Sequence, residues 1–336
     1  MRRARLDALT VGAAALRHAA VSRGTLCHYK AAVLMFDNFS RVRRWDLSPD
    51  GVCDSMEKFF WFHAERGFSV ALGRHTLYGW LHLRCPSKSV TAHQLDNARD
   101  ALAGWCKLHG DDSRDPLPEE ITLALVRTLL SSRQVLTAAA VFLQPQFYLR
   151  PSEMIAVRAA DVILPLAGVA RYHAVGIVVA PRELEVTTKS RTHDDTILVD
   201  GACHPDSTAV LHELARVRSD GDRLFPALTL SKYEESFRVA GAKLGLAHLN
   251  IVPHMMRHTG PSNDLFHGRR NIQEVAKRGR WKNLKSVHRY AKSGRLLGIW
   301  KKVRPQDRTA WMRAAPGTGA ILLAALRLLP VGFGGS

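Results

Sequence analysis

The feature that most constrains the fold is a change of hydrophobic period between residues 171 and 200. Segments on both sides carry apolar residues at helical spacing, whereas this stretch contains the runs YHAVGIVVA, LEVTTKS and DTILVD. These runs are rich in β-branched residues and are separated by turn signals, a pattern typical of short strands. We therefore expect a mainly α-helical chain with one small antiparallel β-sheet, in the α+β class.

Two groups of predicted helices precede the sheet, and the chain returns to helices after Gly201. The first group covers residues 24–45, 52–66, 70–84 and 92–108. The second group covers Glu119–Leu143 and Pro151–Ala160, with Asp161 beyond its end. Between the groups lies HGDDSRDPLP at 109–118, which is polar and contains proline. Such a composition predicts a linker between two folded units.

The charge of the chain predicts a polyanionic partner. The formal net charge is +18, and between Arg269 and Arg313 there are 15 Lys or Arg residues against only Glu274 and Asp307. Nucleic acid is the first expectation and an acidic membrane surface the second. Because tryptophans and a tyrosine are interleaved with the basic residues, we favour double-stranded DNA.

The cysteines and the two termini indicate the cellular compartment in which the protein would work. Five widely spaced cysteines without a C-x-x-C pair fit a reducing environment, so we expect a DNA-containing compartment, nuclear or cytoplasmic, and no secretion. The arginine-rich, acid-poor N-terminus leaves organellar targeting open. The C-terminal run AILLAALRLLPVGF is too short and interrupted to span a bilayer, so no membrane association is expected.

The sequence PHMMRHTG contains the densest group of anion-binding side chains. His254, Arg257 and His258 fall within one and a half helical turns, with no acid among them. A zinc protease would need Glu directly after the first His, and Met255 stands there, so we reject zinc chemistry. Arg257 and His254 share a helix face at i and i+3, and a guanidinium matches phosphate bidentately. The pattern H-x-x-R therefore predicts half of a phosphate clamp.

Three other segments could supply the second half. FYLRPSEM places Arg150 at the start of a helix with Glu153 three residues later, where Glu153 could orient a basic group. TTKSRTHDDTI places Lys189 and Arg191 at a turn between strands, within reach of a DNA groove. RGRWKNLKSVHRYAK contains one aromatic pair, Trp281 and Tyr290, nine residues apart, and the basic residues Arg280, Lys282, Lys285, Arg289 and Lys292.

In this order, the segments resemble the tyrosine recombinase (phage integrase) family. FYLRPSEMIAVRAADV is similar to the family's first-arginine box, HMMRHTG to its H-x-x-R-H box and RGRWKNLKSVHRYAK to its nucleophile segment, over about residues 23–300. The resemblance implies a helical core-binding domain and an integrase-type catalytic domain that form a C-shaped DNA clamp. The implied regions are a basic extension at 1–22, the core-binding domain at 23–110, the catalytic domain at 117–304 and a C-terminal tail at 305–336.

The resemblance also implies a role for each residue. Tyr290 would attack a DNA phosphodiester and leave a 3′-phosphotyrosyl link, while Arg150 and Arg257 hold the non-bridging oxygens. His254 would assist proton transfer or bind the phosphate, and Lys189 would protonate the leaving 5′ oxygen. Trp281 would donate its indole N–H to the phosphate. Supporting roles fall to Glu153, His258 and Arg280, and DNA-backbone contacts to Arg191, Lys282, Lys285, Arg289 and Lys292.

Several alternatives stay open at this point. Arg280 rather than Trp281 follows Gly279, so the phosphate contact could fall to either residue. Gly260-Pro261 predicts a kink in the helix after Arg257. The chain could be an active recombinase that works as a tetramer on two DNA sites, without metal or nucleotide. It could also be a DNA-binding descendant that no longer cleaves, or a type IB topoisomerase-like relaxing enzyme.

Overall fold

The computed structural model describes residues 20–84, 92–109, 114–165, 175–181, 195–199, 205–281, 283–288 and 292–330. The chain forms two compact units, Met1–Asp112 and Ser113–Ser336. Within the described ranges, no helix is both long enough and apolar enough to cross a membrane. The predicted division into an extension, two domains and a tail stays a prediction.

The first unit is a group of four α-helices around an aromatic core. They are α1 (Arg23–Arg43), α2 (Val52–Glu65), α3 (Val70–Leu83) and α4 (Asp96–His109), the last preceded by a 3-10 turn at Ala92–Leu95. The Ser22 hydroxyl caps α1 by accepting from the Thr25 N–H, and left-handed Arg44 ends it. Phe36 packs edge-to-face on Phe59 and Trp80, so α1, α2 and α3 share one core.

The second unit contains eleven described α-helices and three short strands. The elements before the sheet are α5 (Glu119–Ser131), α6 (Val135–Leu143) and α7 (Pro151–Ala156). The strands are β1 (Val162–Ile163), β2 (Gly176–Val179) and β3 (Asp195–Leu198). The later helices are α8 (Pro205–Arg216), α9 (Leu230–Lys243), α10 (Met256–Phe266), α11 (Ile272–Arg278), α12 (Leu284–His288), α13 (Ser293–Lys301), α14 (Pro305–Ala314) and α15 (Thr318–Arg327).

The predicted fold class, mainly α with a small antiparallel sheet, is confirmed. The three strands lie in the order β1-β2-β3, and both neighbouring pairs are antiparallel. Two of them lie in the predicted runs, with Ile177 opposite Ile197, and the inward residues of both join the main core. The third, β1, directly follows the Asp161 carboxylate and was not predicted. The predicted strand LEVTTKS lies outside the described residues.

Two predicted helices are shorter than their hydrophobic patterns. The Glu119–Leu143 pattern is split into α5 and α6, because Arg133 between them has a left-handed backbone at φ 59°. The helix predicted over Pro151–Ala160 ends at Ala156, where Val157 becomes extended and its carbonyl accepts from Leu224. The residues that follow form a bridge to Arg223 and a short 3-10 turn.

The residues predicted as a C-terminal tail form α14 and α15, which pack into the second unit. Leu322 and Leu326 of α15 are fully buried in the same core as α5, α6 and α8. Arg127 on α5 also donates from Nη1 to the Ala314 carbonyl at 3.1 Å, at the turn between the two helices. Residues 305–327 therefore contribute to the core of this unit.

Candidate functional site

Glu153 is the centre of a group of basic side chains. Arg150 immediately precedes α7, whose first residue is Pro151, and Glu153 accepts from the Arg150 N–H at 2.9 Å. The same carboxylate accepts from Arg150 Nη1 at 2.5 Å and from Arg280 Nη2 at 2.7 Å. One acid therefore holds two guanidinium groups that are 130 residues apart in the sequence (280 − 150).

Electrostatics keep the Glu153 carboxyl ionised. Burial raises its pKa, but the charges of Arg280 and Arg150, the hydrogen bond from the Arg150 N–H and the charge of Arg257 together hold the pKa below its ordinary value. Asp195 adds a second carboxylate, whose Oδ2 lies 3.8 Å from Arg280 Nη1. Three guanidinium groups thus meet two acids here, and one excess positive charge remains within this group.

Arg257 is the most deeply buried of the predicted phosphate ligands. Arg257 is only 1% exposed. Its guanidinium donates hydrogen bonds to the Tyr148 carbonyl and, at 2.8 Å, to the Gly279 carbonyl. The guanidinium carbon lies 4.8 Å from the centre of a Trp281 ring, close enough for a cation–π interaction. The structure therefore places Arg257 beneath the indole of Trp281.

The two histidines lie on either side of the start of α10. His254 belongs to a 3-10 turn, Pro253–Met255, and is partly exposed, whereas His258 is buried inside the helix. Their ring centroids are 5.9 Å apart. The H-x-x-R pattern therefore spans a junction between a 3-10 turn and an α-helix, and His254 is the more exposed of the two histidine residues. The predicted kink does not end the helix, since α10 continues through Pro261 to Phe266.

Arg280 and Trp281, which sequence alone could not separate, have different partners. Arg280 has a left-handed backbone (φ 58°), and its side chain turns to Glu153. Trp281 instead stacks on Tyr148, with ring centroids 6.3 Å apart. A Cβ at Gly279 would overlap the indole, so glycine permits the ring to fold back over this turn.

A close backbone approach joins α10 to the turn before Arg150. A Cβ built on Gly260 would overlap the Pro145 carbonyl oxygen and lie 2.5 Å from Tyr148 Cδ1. Only glycine fits there without displacing one of the two segments. The helix that carries Arg257 is thereby seated directly against the segment that carries Arg150.

Of the predicted DNA contacts, only Lys292 has a described side chain. It is 18% exposed, lies 3.9 Å from Asp115 and donates to the Arg114 carbonyl at 3.2 Å. Burial is the main cause of its lowered pKa. These contacts tie Lys292 to the second unit itself. The other predicted side chains, Lys189, Arg191, Lys282, Lys285, Arg289 and Tyr290, lie outside the description, although Lys285 falls within α12.

The described tyrosines of the second unit are both buried and hydrogen-bonded. Tyr148 donates to Asp264 at 2.5 Å and Tyr233 donates to Gln144 at 2.7 Å. Burial raises the pKa of both phenols well above the ordinary value. Neither phenol is suited to attack DNA. The unit contains two other tyrosines, Tyr172 and Tyr290, both outside the described residues.

Sequence reasoning missed Tyr148 and Asp264 as parts of this site. Tyr148 contacts both Arg257 and Trp281, and Asp264 pairs with Arg270. One signal was present, because Asp264 is an isolated acid two helical turns after Arg257, ahead of a strongly basic stretch. Its partner Tyr148 is 116 residues earlier, so no local pattern could connect them.

The chain is similar to solved recombinase structures. The crystal structure of XerA recombinase matches at 15% identity and a TM-score of 0.41, over 86% of this chain and 95% of that chain. XerH site-specific recombinase bound to palindromic difH substrate, a post-cleavage complex, matches at 14% identity and a TM-score of 0.42, over 69% of this chain and 78% of that chain. No family model and no curated protein matches the chain.

Proposed function

We propose that the chain is a DNA strand-transfer enzyme of the tyrosine recombinase type. The observation that carries the proposal is the meeting of Arg150, Arg257 and Arg280 around Glu153, with His254 three residues before Arg257 in the sequence. Such a group suits a phosphate in which charge accumulates on the non-bridging oxygens during transfer. Its partner would be double-stranded DNA, and assembly as a tetramer on two duplexes belongs to the same proposal.

The proposed reaction conserves the phosphodiester bond. The Tyr290 oxygen attacks the phosphorus and forms a 3′-phosphotyrosyl link while the bond to the 5′ oxygen breaks. Lys189 gives its proton to that leaving oxygen, and His254 receives or relays the phenol proton. Arg150 and Arg257 stabilise the non-bridging oxygens. The reverse attack by a 5′-hydroxyl rejoins DNA, so the scheme needs neither a metal nor a nucleotide.

Two features support this assignment of roles. The Arg150 side chain is 21% exposed, so a phosphate can approach it from solvent while Glu153 fixes its orientation. The helix that precedes Tyr290 in the sequence, α12, packs beside the site, because Val287 belongs to one hydrophobic cluster with Tyr148 and Val275. Tyr290 follows Val287 by three residues in the sequence.

A second candidate, a DNA-binding protein that does not cleave, is favoured by one observation. The guanidinium of Arg257 is buried and donates to two backbone carbonyls, which is the arrangement of a structural arginine. The basic segment 269–313 would still bind the DNA backbone in such a protein. The two candidates differ in one outcome, covalent capture.

A nicked duplex tests the proposal, because loss of the short fragment beyond the nick traps the covalent link. We expect the wild type to be captured on such DNA. Tyr290→Phe should bind DNA with unchanged affinity and give no capture, since it lacks only the attacking oxygen. Tyr172→Phe is the matched control and should be captured like the wild type.

The opposite results discriminate the candidates. Capture that persists in Tyr290→Phe and disappears in Tyr172→Phe would assign the nucleophile to Tyr172. Tight binding of the wild type without capture, on nicked substrates covering a library of sequences, would favour the non-cleaving protein. Mass spectrometry of the trapped peptide identifies the linked residue in either case.

A further inference from the structure

Tyr148 lies where several parts of the candidate site meet. It is fully buried, and its backbone adopts a left-handed conformation at φ 51°, which is uncommon for a bulky residue. Its carbonyl accepts from the Arg257 guanidinium, and its ring stacks on Trp281. Arg278 also places its guanidinium carbon 5.7 Å from the ring centre. A shift of Tyr148 would therefore displace the side chains of Arg257, Trp281 and Arg278.

Asp264 holds the Tyr148 ring in place. The phenol donates to Asp264 Oδ2 at 2.5 Å, and the carboxylate is almost fully buried. The Arg270 guanidinium, itself largely buried, contacts the same oxygen, and Arg269 lies 3.7 Å from Asp264 Oδ1. Because these two arginines also hold the carboxylate, it defines one position for the phenol.

Tyr148 also belongs to a small hydrophobic cluster separate from the main core. The cluster contains Tyr148, Val275, Ala276 and Val287, with Trp281 packed against it. Val287 lies in α12, three residues before Tyr290. The ring is therefore in the same packed group as the helix that leads to the proposed nucleophile.

We infer that Tyr148 is a positioning residue, and that its hydrogen bond to Asp264 fixes the positions of the Arg257 guanidinium, the Trp281 indole and α12. This inference rests on the proposed function, because it assigns Tyr148 a part in the cleavage step. Tyr148 touches no DNA in this scheme. It acts through its carbonyl on Arg257 and through its ring on Trp281 and Val287. Misplacing a catalytic group by about 1 Å can cost on the order of a hundredfold in rate.

The test compares Tyr148→Phe with Tyr233→Phe. Each variant removes one buried phenol oxygen and its hydrogen bond. Tyr233 lies in the main core, and its partner Gln144 makes its described side-chain hydrogen bonds to Tyr233, Leu149 and Pro253, and none to Arg257, Trp281 or α12. We expect Tyr148→Phe to slow single-turnover covalent capture about ten- to a hundredfold with unchanged DNA affinity. Tyr233→Phe should capture at the wild-type rate despite a similar loss of thermal stability. Equal rate losses in the two variants would overturn the inference.

A second readout does not depend on cleavage. The indole N–H resonance of Trp281, assigned with Trp281→Phe, reports the place of that ring in a ¹⁵N-labelled protein. We expect it to move in Tyr148→Phe and to stay in Tyr233→Phe. Asp264→Asn removes the carboxylate charge and leaves the Tyr148 ring intact, and it should move the same resonance.

The two readouts separate the two hypotheses. If the wild type is never captured on DNA but the resonance moves as expected, the proposed cleavage is wrong while the positioning contact stands. If capture occurs and the resonance is unchanged in Tyr148→Phe and Asp264→Asn, the proposed function survives and the positioning role is wrong.

Discussion

At the scale of single residues, one carboxylate organises the site. Glu153 accepts from Arg150 and Arg280 and is close enough to Arg257 for the charge of that arginine to lower its pKa. Arginine side chains are long and rotamer-rich, so a shared acid reduces the entropy lost when they bind a phosphate. In the proposed function, Glu153 would orient Arg150 for an anion while the Arg150 side chain stays 21% exposed.

We predict that Glu153→Gln destabilises the protein at neutral pH by about 3 kcal/mol, because two guanidinium groups lose a buried charged partner. The folded pKa of Glu153 lies below its unfolded value near 4.5, so its contribution is complete above that value and is lost as the pH falls through the folded pKa. The difference between variant and wild type should therefore shrink under acid conditions.

Urea unfolding measured from about pH 7 downward checks this pH dependence. The matched control is Glu235→Gln, because Glu235 also pairs with an arginine three residues away, Arg238, but the pair is exposed. This control should change stability little at any pH. If the difference in unfolding free energy between Glu153→Gln and the wild type stays constant as the pH falls, Glu153 is not the ionised partner of these arginines.

At the scale of elements, α15 is a structural part of the second unit. Leu322 lies on its buried face, whereas Leu328, just after the helix, is 85% exposed. We predict that Leu322→Ala lowers the free energy of unfolding by roughly 2–5 kcal/mol through lost burial and a residual cavity. Leu328→Ala should change it by less than about 0.5 kcal/mol. Equal small effects in thermal or urea unfolding would mean that residues 305–327 are dispensable.

Sequence periodicity predicted which segments are helical better than where they end. The 3.6-residue pattern correctly indicated α1, α2 and α3 to within about two residues at each end. It failed at α7, because the backbone of Val157 and Arg158 pairs with a segment about 65 residues later, and a helical pattern contains no information about such a partner. For the same reason, the apolar run of α15 was visible but its place in the core was not.

The candidate site was predictable only in part. Arg150 and Glu153 followed from their spacing, because an acid at the third position of a helix reaches back to the residue that precedes it. The join between Arg280 and Glu153, and the bond between Tyr148 and Asp264, cross more than 100 residues of sequence. Only the fold decides which distant residues become neighbours, and local sequence spacing does not reveal them.

At the scale of the whole molecule, charge is the dominant property. The net charge of +18 is concentrated in the last third of the chain, in the same unit as the candidate site. Long-range attraction would bring DNA to this unit before any specific contact forms, and it would act without regard to base sequence.

We predict that affinity for a duplex of about 30 base pairs falls steeply with salt. If 6–10 phosphates are neutralised, affinity should drop about 10³- to 10⁵-fold between about 50 and 200 mM monovalent salt. Fluorescence anisotropy over that range gives the slope of log affinity against log salt. A slope near zero would exclude phosphate neutralisation as the main source of binding. A duplex of unrelated sequence should give a similar slope, because these contacts do not read bases.

The missing side chain at Gly260 has a consequence for how this protein can vary. Arg257 lies on the helix that contains Gly260, and Arg150 follows the turn that contains Pro145. These two segments approach so closely that only the hydrogen atom of Gly260 fits against the Pro145 carbonyl. A methyl group at that point would act as a wedge and push the two arginines apart without touching either. A residue without a side chain thus controls the distance between the two arginines proposed to bind the phosphate.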